Sequence, residues 1–182
     1  MIPKYIVETF IKKTEVLRSG SCLEFFSKTR DVFDNRLASY AHSTENWLFS
    51  AVIGEIGANT FDHNFSFYSD SPRGVYCDFY SDDNYVYICD FGQGLTASLA
   101  HTIQSISDDL TAIEIAFTQH VSGRAPEMRG NGLKFVISSV MSNGWHLFFQ
   151  SGTATCNASG EGYMFSISDY RYDGCLCILS TI

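Results

Sequence analysis

Three short groups of residues in this sequence have the types and spacing that phosphate and metal chemistry needs. The first is Glu55, Asn59 and His63, which recur at every fourth position and so stack along one face of a helix. A carboxylate one turn from an amide oxygen, here Glu55 and Asn59, suits a water-bridged Mg²⁺, because magnesium prefers oxygen ligands and retains several waters. The carboxylate could also orient or deprotonate an attacking water or hydroxyl. Alone, the group is equally typical of the solvent-facing side of an amphipathic helix.

The second group is the turn Asp90-Phe-Gly-Gln-Gly94, which directly follows the apolar run Val86–Cys89. A carboxylate at the end of a buried strand is unfavourable unless a donor pairs with it, and the amino group of an adenine ring is one such donor. Gly92 and Gly94 would let the backbone approach a flat ring closely. An ordinary strand that ends in an acidic turn has the same appearance.

The third group is the turn Arg129-Gly-Asn-Gly-Leu133-Lys134, which opens an apolar helix. Glycines at a helix start expose backbone N–H groups, and the helix dipole there favours phosphate. Arg129 and Lys134, together with Arg124 in the preceding loop, add positive charge that could offset that of phosphates. An ordinary loop-to-helix junction looks similar, so it is the order of the three groups that indicates a nucleotide site.

This order resembles the motif order of the GHKL superfamily of ATP-binding proteins. The resemblance covers roughly residues 45–170, and Glu55-Ile-Gly-Ala-Asn59 is similar to the first family motif. The two glycine turns are similar to the second and third motifs. With His63 included, the local pattern is similar to that of anti-sigma-factor serine kinases and of histidine-kinase-like ATP-binding domains. Thr60 and Asn64 stand where that group usually has alanine and glycine.

The resemblance implies a Bergerat ATP-binding fold, a two-layer α/β sandwich whose mainly antiparallel mixed sheet carries helices on one face. It also implies the cofactors ATP and Mg²⁺, with Glu55 as general base, Asn59 as the Mg²⁺ ligand and Asp90 as the adenine contact. Residues 95–129 would form a lid over the nucleotide. The other nucleotide-binding residues implied by the motifs are Asp62, His63, Gly92, Gly94, Leu95, Arg129, Gly130, Asn131, Gly132, Leu133 and Lys134.

The implied activity is transfer of the γ-phosphoryl group to a protein side chain, as in a serine kinase, or to water, by a regulatory protein. A non-catalytic module in which ATP gates protein binding would have the same motifs. So would a structural protein whose nucleotide site has decayed. We expect ATP and a protein partner or phospho-acceptor as the binding partners, and homodimerisation through the helical N-terminus stays open.

The elements that must position these groups indicate a single α+β domain over residues 1–182. Residues 1–43 are predicted to be a helical N-terminal extension. Thr44 is predicted to cap the helix that carries the first group and ends near His63. Residues 74–89 have the β-rich pattern of a hairpin.

The second half of the chain is predicted to add helices and then a meander of strands. Helical patterns occupy residues 96–105 and 108–119, and a further helix runs from Leu133 to Met141. Four strands are predicted to follow, Trp145–Gln150, Thr153–Asn157, Gly162–Tyr170 and Gly174–Ser180, with Asp173-Gly174 as a hairpin turn.

Composition narrows the classes of partner. The formal net charge of −8 disfavours binding to nucleic-acid backbones. No run approaches the roughly 20 apolar residues that a membrane span needs, and no signal peptide opens the sequence. The six cysteines contain no Cys-x-x-Cys pair and read as reduced, mostly buried thiols. We therefore expect a cytoplasmic protein that binds neither nucleic acid nor membrane.

Overall fold

A computed structural model of the chain describes residues 1–19, 25–64, 74–80, 84–103, 106–119 and 131–182. The helices are α1 (Lys4–Arg18), α2 (Arg30–Thr44), α3 (Trp47–His63), α4 (Gly94–Ala100), α5 (Asp109–Thr118) and α6 (Gly132–Asn143). The strands are β1 (Phe26–Ser27), β2 (Val75–Asp78), β3 (Val86–Asp90), β4 (His146–Ser159) and β5 (Gly162–Ser180). These elements confirm the predicted α+β class, and the hairpin and the helix that follows the third group lie where the sequence predicts them.

The strands form one open sheet in the order β1-β2-β3-β5-β4, and every described pairing is antiparallel. β3 therefore lies in the middle of the sheet. Its last residue, Asp90, is paired with Cys175 of β5. This register places the acidic turn after β3 next to the middle of β5.

One face of the sheet packs against the layer formed by α2, α3, α5 and α6, with α4 at its margin. Alternate residues of the strands point into this core, as the two-residue period of a strand requires. The buried strand residues of this core are Val75, Cys77, Val86, Ile88, Leu147, Phe149, Ala154, Cys156, Ala158, Cys177 and Leu179.

The other face of the sheet is covered by α1, which adds to the predicted two-layer arrangement. Phe10 is 1% exposed, and its ring centroid lies 4.9 Å from that of Tyr87. Lys13 Nζ lies 3.0 Å from the Oδ2 atom of the buried Asp78. Because β1 also belongs to the sheet, residues 1–43 contribute to both layers as well as to the sheet itself.

The helix that carries the first group begins later than predicted. Thr44 is the last residue of α2, where its hydroxyl donates to the Tyr40 carbonyl at 3.0 Å. Glu45 then has a left-handed backbone with φ of 54°, and Asn46 Oδ1 accepts from the Phe49 N–H at 3.1 Å. Asparagine is as good an N-cap as threonine, so two capping residues close together left the choice ambiguous.

The predicted turn at Asp173-Gly174 is wrong, because β5 continues through it. The hairpin between β4 and β5 turns at residues 160–161 instead. Gly174 has φ of 111° and lies where the pairing shifts from Ser151–Cys175 to Gly152–Tyr172. The pair forms a bulge, which also favours glycine with positive φ.

Within the described ranges, none of the helices has both the length and the apolar character that a membrane crossing requires.

Candidate functional site

Helix α3 carries the first group. Glu55 is exposed and Asn59 is half-buried. Neither side chain has a hydrogen bond or ion pair to any residue in the part of the chain that the structure describes. Carboxylate and amide oxygens one turn apart are thus left available to a ligand.

The start of α6 lies against Glu55. A Cβ atom added to Gly132 would be 2.5 Å from Glu55 Oε2, so the carboxylate lies directly against the first residue of α6. Asn131, the N-cap residue of α6, makes no side-chain cap. Among the described residues, no side chain accepts from the first-turn N–H groups of α6, and such a terminus favours anions. The fold brings the first and third groups together although they are far apart in sequence.

Asp90 is a buried carboxylate surrounded by donors. Its side chain accepts from Thr60 Oγ1 at 3.0 Å, Asn64 Nδ2 at 3.3 Å and the Gly92 N–H at 2.7 Å. Burial raises the pKa of the Asp90 carboxyl, while the hydrogen bonds from Gly92 and Thr60 act in the opposite direction. An acceptor held in this way at low dielectric is highly sensitive to the donors around it.

The end of α3 is joined to the turn that follows Asp90. Asn64 is 3% exposed, and its Oδ1 accepts from the Gln93 N–H at 3.0 Å. Gln93 Nε2 in turn donates to the His63 carbonyl at 2.6 Å. A Cβ atom at Gly92 would overlap the Asn64 amide group, so this glycine is required for close approach.

Ser151 of β4 fixes the start of α4, and the motifs gave no indication of it. Its Oγ accepts from the Leu95 N–H at 2.9 Å and donates to the Gly174 carbonyl at 3.0 Å. A Cβ atom at Gly94, where φ is 74°, would lie 2.9 Å from the same oxygen. Ser151 stands between Gln150 and Gly152 in a polar stretch of β4, so the sequence carries no signal that would have identified it.

Gly174 and Tyr172 of β5 contact the backbone of the turn at the Asp90 carbonyl. A Cβ atom at Gly174 would overlap the Asp90 carbonyl oxygen and lie 3.0 Å from Phe91 Cα. The Tyr172 hydroxyl donates to the same carbonyl at 3.2 Å. The bulge in β5 thus allows the backbone of the second group to sit directly on the sheet.

Other predicted nucleotide contacts have protein partners. Asp62 forms an ion pair with Arg30 of α2, and His63 Nδ1 lies 3.0 Å from Ser98 Oγ of α4. Leu133 is 8% exposed and packs in the core on the helix side. These side chains connect elements around the site.

The described part of the predicted lid is packed into the helix layer. On α5, Ile113 is 0% and Phe117 1% exposed. Asp109 at the start of α5 accepts from the Thr153 N–H at 2.9 Å and contacts Arg171 Nη1 at 3.0 Å. The rest of the lid, residues 104–105 and 120–129, lies outside the described residues. The same holds for Arg124, Arg129 and Gly130.

The described cysteines are free thiols, as predicted. Those at positions 77, 89, 156 and 177 are buried, and Cys175 is half-buried beside Asp90. Burial raises the pKa of Cys89 and of Cys156 to about 12, which keeps both protonated at neutral pH. Within the described ranges, no three His, Cys, Asp or Glu side chains are grouped so that they could hold a metal ion.

Two comparisons with known proteins gave no relative of this chain. Its sequence matches no protein-family model, and it matches no curated protein. The GHKL resemblance consequently rests on the three motifs.

Proposed function

We propose that this protein binds ATP together with Mg²⁺ along α3, between the start of α6 and the turn after Asp90. The observation that carries the proposal is the contact of Glu55 with Gly132 at the uncapped end of α6. Asp90 is joined to the C-terminal end of α3 by hydrogen bonds from Thr60 and Asn64. An ATP molecule has its phosphates at one end and its base at the other. The start of α6 would lie at the phosphate end of the site, and Asp90 would lie at the base end.

The phosphate end of the proposed site combines donors with hard oxygen ligands. The first-turn N–H groups of α6 and the Lys134 ammonium would bind phosphate oxygens. Glu55 and Asn59 fit Mg²⁺ because both offer oxygen atoms and neither has another partner in the described chain. The ion would supply neutralisation of phosphate charge when bound.

The reaction we favour is transfer of the γ-phosphoryl group to a hydroxyl of a protein phospho-acceptor, or to water. An oxygen–phosphorus bond to the acceptor would form while the bond from the γ-phosphorus to the bridging oxygen breaks and ADP leaves. Glu55, which is exposed beside the phosphate end, would take the proton of the attacking hydroxyl.

A second candidate function is an ATP-gated binding module with no turnover. It is favoured by one observation, which is that no described residue holds the Glu55 carboxylate by a hydrogen bond. General bases are usually oriented by a further group. A module would need the same phosphate and base contacts and no positioned base.

Titration calorimetry with ATP and Mg²⁺ tests the binding. We expect saturable binding by the parent and a loss of about tenfold in affinity for Lys134→Ala, because one charge-assisted contact to phosphate is removed. The control is Lys28→Ala, which removes an exposed cation that precedes α2 and should leave the affinity unchanged. If millimolar ATP gives no saturable heat with the parent, the proposed site is wrong.

The same samples separate the two candidates when ADP is measured under single-turnover conditions. A base role for Glu55 predicts ADP formation by the parent and a loss of at least about a hundredfold in Glu55→Gln, with ATP affinity little changed. ATP that is bound and never converted, alone or with a candidate acceptor protein, would support the module.

A further inference from the structure

The Asn64 side chain occupies the space directly over Gly92, in the turn that we assign to the base. Its Nδ2 donates to Asp90 Oδ1 at 3.3 Å, and its Oδ1 accepts from the Gln93 N–H at 3.0 Å. With 3% of its surface exposed, the residue fills this position completely. One primary amide thus bridges an acceptor and a donor that belong to the same turn.

An acceptor beside a donor is a pattern that an adenine ring can also satisfy. The exocyclic amino group of adenine donates, and the neighbouring ring nitrogen N1 accepts, on one edge of a planar group. A primary amide presents the same donor and acceptor on a planar group of smaller size. Asn64 therefore makes with Asp90 and Gln93 the pair of hydrogen bonds that the base itself would make.

We infer that Asn64 is an internal competitor of the adenine base, and that it keeps the base end of the site closed until a nucleotide displaces it. The inference rests on the proposed function, because it concerns how the same site is regulated. An adenine ring and the Asn64 amide cannot both occupy the space over Gly92, since even one added carbon there overlaps the amide.

Displacement of Asn64 does not require α3 to unwind. Asn64 is the C-cap residue, with φ of −110° and ψ of 6°, and only its backbone N–H belongs to the helix, donating to the Thr60 carbonyl at 3.2 Å. Rotation of the side chain would free Asp90 Oδ1 and the Gln93 N–H together. Thr60 and Gly92 would still hold the carboxylate.

Self-occupancy lowers the measured affinity for nucleotide by the fraction of molecules in which the site is open. That fraction depends on the net free energy of the two hydrogen bonds that must break. A net free energy of about 1.4 kcal/mol corresponds to about a tenfold effect on affinity. Any contact that rotates Asn64 away would raise the affinity for the base without touching the phosphate end.

The test compares ATP, adenosine and tripolyphosphate as ligands of the parent, Asn64→Ala and Asn64→Ser, by calorimetry with Mg²⁺ present. We expect both variants to bind ATP and adenosine about tenfold more tightly than the parent, with tripolyphosphate affinity unchanged. The control is Asn143→Ala, which removes an amide that donates to the Ser139 carbonyl at the far end of α6. It should bind all three ligands as the parent does.

Each result bears on one of the two proposals. If parent and variants bind ATP with equal affinity, or the variants bind it more weakly, the site is real and Asn64 is not a competitor. If neither parent nor variants bind ATP or adenosine, the proposed function fails and this inference fails with it.

Circular dichroism confirms that each variant is folded. In the parent, displacement of the Asn64 side-chain amide NMR signal by adenosine provides a second readout that needs no variant, and an unmoved signal in the bound state would also overturn the inference.

Discussion

At Asp90, one carboxylate connects three parts of the chain. Its donors come from α3 through Thr60 and Asn64, from the turn through Gly92, and from β5 through the Cys175 N–H. These donors together offset the cost of burying the carboxylate. The residue proposed to contact the base therefore also holds the site together in the free protein.

Gly92→Ala tests how tightly the turn and Asn64 fit. The new methyl group would overlap the Asn64 amide and expel it, so the hydrogen bonds to Asp90 and Gln93 would be lost. We expect the free energy of unfolding in urea to fall by about 2–3 kcal/mol. Gly144→Ala is the control, because φ there is 68° and nothing lies within 4 Å, so only backbone strain of about 1 kcal/mol applies.

A double variant separates this overlap from a general intolerance of the turn. With Asn64→Ala already present, the methyl group at position 92 would no longer overlap an amide group, because its three nearest atoms all belong to the Asn64 amide. The double variant should then be about as stable as Asn64→Ala alone, a coupling of roughly 2 kcal/mol. If Gly92→Ala destabilises equally in both backgrounds, contact with Asn64 is not the reason that glycine is needed there.

The sequence identifies the reactive residue types but not the partners that surround them. Asp90, Gly92 and Asn64 could be selected from motif spacing, because each lies in or next to a motif. Ser151 and Gly174 could not, since they reach the turn only through the pairing of β4 and β5 and the bulge in β5. A contact between distant strands leaves no local pattern in either of them.

At the scale of elements, α3 contains two glycines that fit its neighbour α2. A Cβ atom at Gly57 would come within 2.8 Å of three carbons of the Phe33 ring, which is 0% exposed. A Cβ atom at Gly54 would lie 3.1 Å from the end of the flexible Leu37 side chain. The two glycines thus allow α3 to pack closely on α2, and only Gly57 is tightly constrained.

Alanine substitutions at the two glycines of α3 should have opposite effects. Each gains up to about 1 kcal/mol from helix propensity. At Gly54 the Leu37 side chain can move aside, so we expect Gly54→Ala to be neutral or slightly stabilising. At Gly57 the buried Phe33 ring cannot move, and overpacking should destabilise Gly57→Ala by about 1–3 kcal/mol.

Urea unfolding of both variants provides the measurement, and Phe33→Leu provides the check on mechanism. The smaller side chain should reduce the destabilisation caused by Gly57→Ala, although Phe33→Leu is itself destabilising. Equal effects of alanine at Gly54 and Gly57 would contradict the packing that the structure describes.

At the scale of the whole molecule, the sheet is covered on both sides. The helix layer with the candidate site lies on one face, and α1 lies on the other with Phe10, Tyr76 and Tyr87. Arg18 at the end of α1 lies 4.6 Å from the centre of the Phe91 ring in the acidic turn and donates to the Asp173 carbonyl at 2.8 Å. The first helix therefore also supports the candidate site from behind.

The helical pattern of α1 could be predicted from the sequence, but its place in the molecule could not. An amphipathic helix buries its apolar side somewhere, and periodicity does not say against which surface. The alternation of residues in β2 and β3 offered a hint, because both of their faces are apolar or aromatic and a strand buried on both sides needs cover on both. The prediction of a helical extension over residues 1–43 left open which surface α1 would cover.

Phe10→Ala decides whether α1 is part of the cooperative fold. Removal of a buried phenylalanine should lower the free energy of unfolding by about 3–4 kcal/mol. The two tryptophans, Trp47 at the start of α3 and the buried Trp145, both belong to the helix side of the sheet, so their fluorescence reports a region that Phe10 does not touch. If α1 is integral, the urea midpoint falls equally by fluorescence and by circular dichroism.

The control is Tyr5→Ala, which alters a residue of α1 that is 65% exposed and should change the free energy of unfolding by less than about 0.5 kcal/mol. An unchanged fluorescence midpoint in Phe10→Ala would show that α1 unfolds independently as an extension.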